Sequence, residues 1–223
     1  RSGLAVISRY RLSPLPTWEL SNGVGRSSYR RRIAQRVDVM VHDQRIPLVN
    51  THLASHGTGS SQTPEHSERT EQTRTPERQE RTEQTRTPER RERTEQTRTP
   101  ERQERTEQAE RLAELLGADA WGNNESLLLL GDLNAHDEPA VLEALTAQGL
   151  RDCWRAARTQ DGNGLTSPSE RPVQRIDYVL AGPAWDVLEA MVPSATTASA
   201  TTPWASLSDH LPLTVHLTPV SAF

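Results

Sequence analysis

Short apolar runs alternate with polar segments along most of the chain. Two segments have helical periodicity, Ala109–Leu116 and Pro139–Gln148, and Gly149 is expected to end the second helix. Residues 158–172 and 194–208 read as loops. Strands mixed with helices predict an α/β fold, a layered sandwich of β-sheets flanked by helices. The six runs expected to form strands are Leu4–Ser8, Arg36–Val41, Ile46–Thr51, Leu127–Gly131, Arg175–Ala181 and Leu213–Leu217.

A repeat interrupts this pattern. Residues 67–108 contain no aliphatic or aromatic side chain, and their 11 Arg and 11 Glu leave no net charge. Three copies of Thr-Arg-Thr-Pro-Glu-Arg-Gln-Glu-Arg-Thr-Glu-Gln occupy 73–84, 85–96 and 97–108, with Arg91 the one substitution. No copy has an apolar face to bury, so we expect 73–108 to be an exposed insertion within a single domain, 1–223. A partner-binding arm is the alternative, which only the mixed charge supports.

The repeat is expected to be an expansion within one amphipathic helix. Removal of 73–108 would join Gln72 directly to Ala109. Leu112, Leu115 and Leu116 would then form the apolar stripe of a single helix.

Composition disfavours several classes of protein. The 26 basic residues are all arginine, 30 residues are acidic, and the net charge of −4 disfavours a protein that coats nucleic acid. One cysteine, Cys153, excludes a disulfide framework and a multi-cysteine zinc site. No apolar stretch approaches the ~18 residues of a membrane span. No protein partner can be inferred, and for the compartment we favour the cytoplasm.

Polar side chains follow apolar runs in four blocks: Asn50–His52, Gly131–Asn134, Arg175–Tyr178 and Ser208–His210. Loop residues held by rigid strands often carry function. Each block also has a structural interpretation when taken alone. These interpretations are a hydrogen-bonded structural histidine for His52, a turn for Asp132, an ion pair of Asp177 with Arg175, a turn cap for Asp209, and a helix N-cap for Asp137 with Glu138.

Together the blocks suit the hydrolysis of a phosphate ester. That reaction needs a divalent cation on carboxylate oxygens, a base for water, and donors for the charge on phosphorus. The chain contains no recognisable Ser, Thr or Cys nucleophile motif, which disfavours a covalent hydrolase. It contains no glycine-rich phosphate loop either.

The order of these motifs resembles the endonuclease/exonuclease/phosphatase superfamily. Gly-x-Ala-x-x-Ser-Arg at 3–9 precedes the four blocks, and the similarity runs to about Leu217, interrupted by the repeat. The family includes DNase I-like nucleases, abasic-site endonucleases, sphingomyelinases and inositol-phosphate 5-phosphatases. The resemblance implies a sandwich of two mixed β-sheets with helices outside.

The resemblance also implies a role for each site residue. His210, oriented by Asp177, would activate water or stabilise the pentacovalent phosphate. Asp132 would position or deprotonate that water, and Asp209 would lie at the metal, most simply Mg²⁺ and alternatively Mn²⁺. The phosphate-facing residues would be Asn134 on the phosphoryl oxygens, His52 on the phosphate or leaving group, and Asn50 in support of His52.

The chain departs from the family pattern at two places. An Asn and the main metal-binding Glu of the family precede the block at 3–9, so we expect this chain to be a fragment of an active protein. Relatives often carry a Glu before the strand that leads to Asn-Thr-His, whereas 29–35 contains no carboxylate. The run Arg30–Arg32 either meets substrate phosphates or forms a solvated strand edge.

The leading hypothesis is a metal-dependent phosphodiesterase or phosphatase, of endonuclease type. Nucleic acid, a phospholipid headgroup and an inositol phosphate all stay open as substrates. The first alternative is a catalytically impaired fragment or a non-enzymatic relative that acts as a binding module. A nucleic-acid-binding protein without catalysis is the second. The aromatic content of 4% and the negative charge disfavour the latter.

Overall fold

The computed structural model describes residues 3–21, 31–55, 99–118, 125–136, 138–193 and 204–220. Within these ranges, no helix is both long enough and apolar enough to cross a membrane. The elements are, in chain order, β1 (Arg11–Glu19), β2 (Ile33–Val41), β3 (Gln44–His52), α1 (Pro100–Ala118), β4 (Leu128–Asp132), α2 (Pro139–Thr146), β5 (Arg151–Asp152), α3 (Cys153–Ala156), β6 (Thr159–Asp161), β7 (Asp177–Ala181), β8 (Trp185–Met191), α4 (Trp204–Leu207) and β9 (Thr214–Pro219).

The described strands form two mixed β-sheets. The larger has six strands in the order β1-β2-β3-β4-β7-β5, and its β3–β4 pair is parallel while its other pairs are antiparallel. The smaller has the order β6-β8-β9, with β6 parallel and β9 antiparallel to β8. The predicted α/β class with two mixed sheets and flanking helices is confirmed.

Strand β4 shows how the layers pack. Leu129 points into the core under the helices, where it joins Leu112 of α1 and Val141 of α2. Leu128 points the other way and packs against Trp185 and the inner residues of the small sheet. Successive side chains of a strand face opposite ways, so a strand covered on both sides needs an unbroken apolar run.

Several elements differ from the sequence-based prediction. The expected strand Leu4–Ser8 is wrong: the structure has no strand there, and Ile7 is 96% exposed. The first strand is β1, which was missed because it contains Pro14 and Pro16; an edge strand tolerates proline because one side of its ladder is unpaired. Strand β8 was also missed. Two expected loops contain short elements, β6 within 158–172 and α4 within 194–208, of which 194–203 lie outside the described residues.

Residues 100–108 of the last repeat copy form the first half of α1, whereas 73–98 lie outside the described residues. Leu112 and Leu116 are buried as predicted, and Leu115 packs partly buried against the same core. The expectation of an exposed repeat is wrong at Arg105 and Gln108, which are 0% and 1% exposed. Both side chains form hydrogen bonds, which is the condition under which polar groups are buried.

The ends of α2 match the prediction in part. Its N-cap position is Glu138, whose side chain forms no capping hydrogen bond, and Asp137 lies outside the described residues. The helix ends at Thr146, and Gly149 follows with φ of 83°, a backbone conformation that favours glycine.

Candidate active site

Sheet register brings three of the predicted residues side by side. His52 ends β3 and lies opposite Asp132, which ends β4, because these two strands are parallel. Strand β7 is antiparallel to β4, so its first residue, Asp177, lies opposite Asp132 on the other side. Residues far apart in the sequence therefore meet at the ends of three neighbouring strands of the large sheet.

Gly131 permits this approach of β3 and β4. Its φ is 141°, and a Cβ at this position would lie 1.9 Å from the backbone oxygen of Thr51. Only glycine fits such a site. The glycine of the Gly131–Asn134 block is thus needed to place Asp132 beside His52.

The turn after β4 places Asn134. Its backbone has φ of 50°, and its amide N–H donates to Asp132 Oδ1 at 2.9 Å, a local bond typical of aspartate turns. Its side-chain Nδ2 donates to the Leu53 oxygen at 3.2 Å. Asn134 is therefore fixed against the segment that follows His52.

His210 reaches the group from the loop before β9. Its Nδ1 lies 2.9 Å from Asp177 Oδ2, and its backbone N–H donates to Ser208 Oγ at 3.1 Å. Bonding at Nδ1 leaves Nε2 as the ring atom available to a ligand. The alternative pairing of Asp177 with Arg175 is wrong, because Arg175 pairs with Asp152.

Asp132, Asp177 and His210 fit a divalent cation. One ligand atom from each lies within 4.8 Å of the others. Burial, followed by the charge of Asp177, raises the pKa of Asp132 to about 6. Two close carboxylates in a half-buried position repel each other, and a hard cation on their oxygens relieves that repulsion.

The surroundings of His210 favour its charged form, whereas those of Asp132 disfavour its charged form. The hydrogen bond that His210 donates to Asp177 raises the pKa of His210 to about 8, against the effect of burial. The charges of Asp177, Asp132 and Asp209 act in the same direction as the hydrogen bond. At neutral pH the imidazole is therefore mostly protonated while the Asp132 carboxyl is mostly ionised.

The other predicted residues lie at different distances from this group. His52 Nε2 is 3.4 Å from Asp132 Oδ2, so His52 belongs to the site. Asn50 donates from Nδ2 to the Ala5 oxygen at 3.1 Å, so its side chain holds the segment before β1. Asp209 is exposed and does not belong to the group of metal-ligating atoms, although its charge acts on His210.

Arg32 and Arg31 differ in environment. Arg31 is exposed and pairs with Glu19. Arg32 is 9% exposed, donates from Nη1 to the His52 oxygen at 3.3 Å, and its charge opposes the rise in the pKa of Asp132. The solvated-edge interpretation is thus wrong for Arg32, while Arg30 lies outside the described residues.

The chain is similar to proteins of one family. Residues 1–210 match the model of the Endonuclease/Exonuclease/phosphatase family. A mannosyl-6-phosphatase from Bacteroides thetaiotaomicron VPI-5482 superposes with a TM-score of 0.59 at 17% identity, over 93% of this chain and 67% of that one. A family protein from Bacteroides vulgatus gives 0.58 at 16%, over 94% and 67%.

Sphingomyelinase C from Streptomyces griseocarneus has the same fold, with a TM-score of 0.50 at 18% identity, over 85% of this chain and 59% of that one. The chain thus spans about two thirds or less of the length of these solved relatives. No curated protein matches the sequence.

Proposed function

Because the chain belongs to the endonuclease/exonuclease/phosphatase family, we propose that it is a metal-dependent hydrolase of phosphate esters. The observation that carries this proposal is the convergence of Asp132, Asp177 and His210, whose ligand atoms lie within 4.8 Å of one another. They come from two strands and a separate loop, and the repulsion between the two carboxylates, which helps to raise the pKa of Asp132, is a cost that a bound cation would remove.

Asp132 and Asp177 would hold the cation, for which Mg²⁺ or Mn²⁺ is suited by the carboxylate ligands. When bound, such an ion supplies positive charge that stabilises the charge developing on the phosphoryl oxygens. Asp209 is proposed only as a more distant charge at this centre.

Asp132 is proposed to accept the proton of the attacking water. A base works best when its pKa lies near the operating pH, and burial raises the pKa of Asp132 to about 6. His210 is proposed to act as the cationic partner. Asp177 holds its Nδ1, so Nε2–H can donate to a phosphoryl oxygen in the transition state.

Two further residues are proposed to face the substrate. Asn134 would keep one side-chain N–H on the Leu53 oxygen and donate its second N–H to a phosphoryl oxygen. His52, beside Asp132 and 41% exposed, would contact the phosphate or the leaving group, with Asn50 behind it on β3.

A phosphodiester is the substrate we favour. The resemblance associates a second histidine with the DNase I and sphingomyelinase branches, and His52 stands at that place. Nucleic acid and phospholipid headgroups supply diesters, whereas sugar and inositol phosphates supply monoesters.

The test is hydrolysis of bis-p-nitrophenyl phosphate and p-nitrophenyl phosphate by the purified protein. We expect Mg²⁺-dependent turnover that EDTA abolishes, with the diester preferred. His210→Ala should lower kcat by about a thousandfold, since a general acid–base group contributes about 10²- to 10⁴-fold.

His216→Ala is the matched control, because His216 is exposed on β9 on the smaller sheet. It should leave turnover unchanged. Equal activity of the His210→Ala variant and the parent would refute the assignment, and undiminished turnover in EDTA would refute the metal requirement.

A further inference from the structure

The N-terminal half of α1 carries two buried polar residues, Arg105 and Gln108. They are 0% and 1% exposed, and both belong to the last repeat copy. A buried guanidinium is retained in a fold only when its charge and its donors are matched. Their contacts therefore indicate what the repeat does.

Arg105 joins the two segments that carry site residues. Its Nη1 donates to the Ala54 oxygen at 2.6 Å, two residues after His52. Its Nε and Nη2 donate to the two carboxylate oxygens of Glu138 at 2.8 and 2.5 Å, at the end of the loop that follows β4. The planar fork of arginine suits this bidentate contact.

Gln108 completes the contact at Ala54. Its Oε1 accepts from the Ala54 N–H at 2.8 Å, while its Nε2 donates to Glu104 at 2.9 Å. Both backbone polar groups of Ala54 are thus bonded to side chains of α1.

Ala54 is one residue from direct contacts with the site. The Leu53 N–H donates to the Asp132 oxygen at 3.0 Å, and the Leu53 oxygen accepts from Asn134 Nδ2 at 3.2 Å. Movement of residues 53–54 away from α1 would therefore displace Asn134 and the backbone next to His52.

We propose that Arg105 and Gln108 are positioning residues for His52 and Asn134. We call their contacts with Ala54 and Glu138 docking, and we propose that every repeat copy carries an Arg and a Gln that can make the same contacts. The sequence Glu-Arg-Thr-Glu-Gln ends each copy and also occupies 68–72. Whichever unit adjoins Ala109 would supply the docking Arg and Gln. The positioning role rests on the proposed function, whereas the docking does not.

Docking is tested by comparing Arg105→Met with Arg93→Met, the same change one repeat earlier. Arg105→Met should lower Tm by about 5–10 °C, because Glu138 loses its bidentate partner. Amide exchange at residues 53 and 54 should become about tenfold faster. Arg93→Met should match the parent; equal effects of the two variants, or none from Arg105→Met, would overturn the docking.

Interchangeability is tested by deletion. Removing 97–108 places Arg93 and Gln96 where Arg105 and Gln108 stood, and removing 73–108 places Arg69 and Gln72 there. Both deletion proteins should keep the parent Tm and exchange rates. Once 97–108 are removed, Arg93→Met should lower Tm and speed exchange as Arg105→Met does in the full chain. An unchanged Tm and unchanged exchange in that variant would overturn interchangeability.

Positioning is tested by turnover of bis-p-nitrophenyl phosphate. Gln108→Ala, the milder variant, should lower kcat by about tenfold, as loss of an outer-shell partner does, with KM within about twofold. Gln96→Ala is its control. Unchanged kcat together with faster exchange would overturn the positioning role and leave docking intact. A parent without phosphoesterase activity would overturn the proposed function and the positioning role, while exchange and Tm would still decide docking.

Discussion

The cluster around Asp132 and the ion pair of Glu138 lie at the two ends of one segment, the loop between β4 and α2. At the second end, Glu138 is 6% exposed and Arg105 meets both of its oxygens. At the first end, Asp132 and Asp177 lie together with His210, and the pKa of Asp132 rises to about 6. The Arg105–Glu138 pair brings opposite charges together, whereas the Asp132 end brings two carboxylates together and the hydrogen bond of His210 goes to Asp177.

This difference separates charges that hold the fold from charges that are proposed to serve chemistry. Removing one member of a matched buried pair exposes the other to an apolar interior and destabilises the protein. Removing one of two repelling carboxylates relieves the folded state, while it removes a group that the reaction needs. The two ends of the loop should therefore respond to mutation with opposite signs in stability.

Among changes at the two ends of this loop, the largest expected effect is that of Asp132→Asn on activity. Turnover of a phosphodiester should fall by about a hundredfold or more, as loss of a general base predicts. Without metal at pH 7.5, the variant should nevertheless be more stable by about 3 kcal/mol, since the pKa of Asp132 rises from 3.8 to about 6. Urea unfolding in EDTA measures the stability.

The sign follows from linkage. A carboxyl group with a raised pKa in the folded state favours folding while it is protonated, and that contribution is lost as pH rises through about 6. The gain from Asp132→Asn should therefore vanish toward pH 4. Asp161→Asn, an exposed aspartate on β6, is the control. A less stable Asp132→Asn variant at pH 7.5 would contradict the assigned electrostatics.

The next largest effect is that of Glu138→Gln on stability. Arg105 would keep its burial and lose its counter-charge, which costs about 3 kcal/mol and lowers Tm by about 6–12 °C. Calorimetry measures this loss. Glu143→Gln, an exposed change on α2, should stay within about 0.5 kcal/mol of the parent. Comparable losses of stability from both variants would mean that the ion pair with Arg105 contributes no more than an exposed carboxylate does.

The same contrast explains which features the sequence predicts. Asp132 and Asp177 are predictable because Asp132 directly follows an apolar run and Asp177 begins one. The local sequence is enough to indicate where such strands end. Arg105 is not predictable in this way, because its burial depends on Ala54 and Glu138, which lie 51 and 33 residues away in the chain. The residues next to Arg105 in the repeat are polar, so the sequence predicts an exposed side chain there. Its partners come close to it only when the chain folds.

Strand β1 and Asp209 show two further limits. The two prolines of β1 argue against a strand in the local sequence. They are tolerated because β1 lies at the edge of the large sheet, and the edge position depends on how the whole sheet is ordered. Asp209 precedes His210 in sequence, yet neighbouring residues need not share a side-chain direction. The cluster whose ligand atoms lie within 4.8 Å of one another contains His210 with Asp132 and Asp177 instead.

The smallest expected effect is a shift of the pH–activity profile. Turnover should rise as Asp132 loses its proton near pH 6 and fall as His210 loses its proton near pH 8. Asp177→Asn, measured at saturating Mg²⁺, removes the largest cause of the raised pKa of His210. It also removes a charge that raises the pKa of Asp132. Both limbs should therefore move to lower pH, the upper one by about one unit toward the ordinary histidine value.

His42→Ala supplies the control for this profile, because His42 lies in the exposed turn between β2 and β3. Its limbs should coincide with those of the parent. A profile of Asp177→Asn that changes only in height would mean that Asp177 acts through the metal alone. A parallel shift of both limbs would mean that one carboxylate sets the proton affinity of the base and the acid together. The repulsion that strains this end of the loop would then tune its chemistry, whereas the matched pair at Glu138 leaves pH dependence untouched.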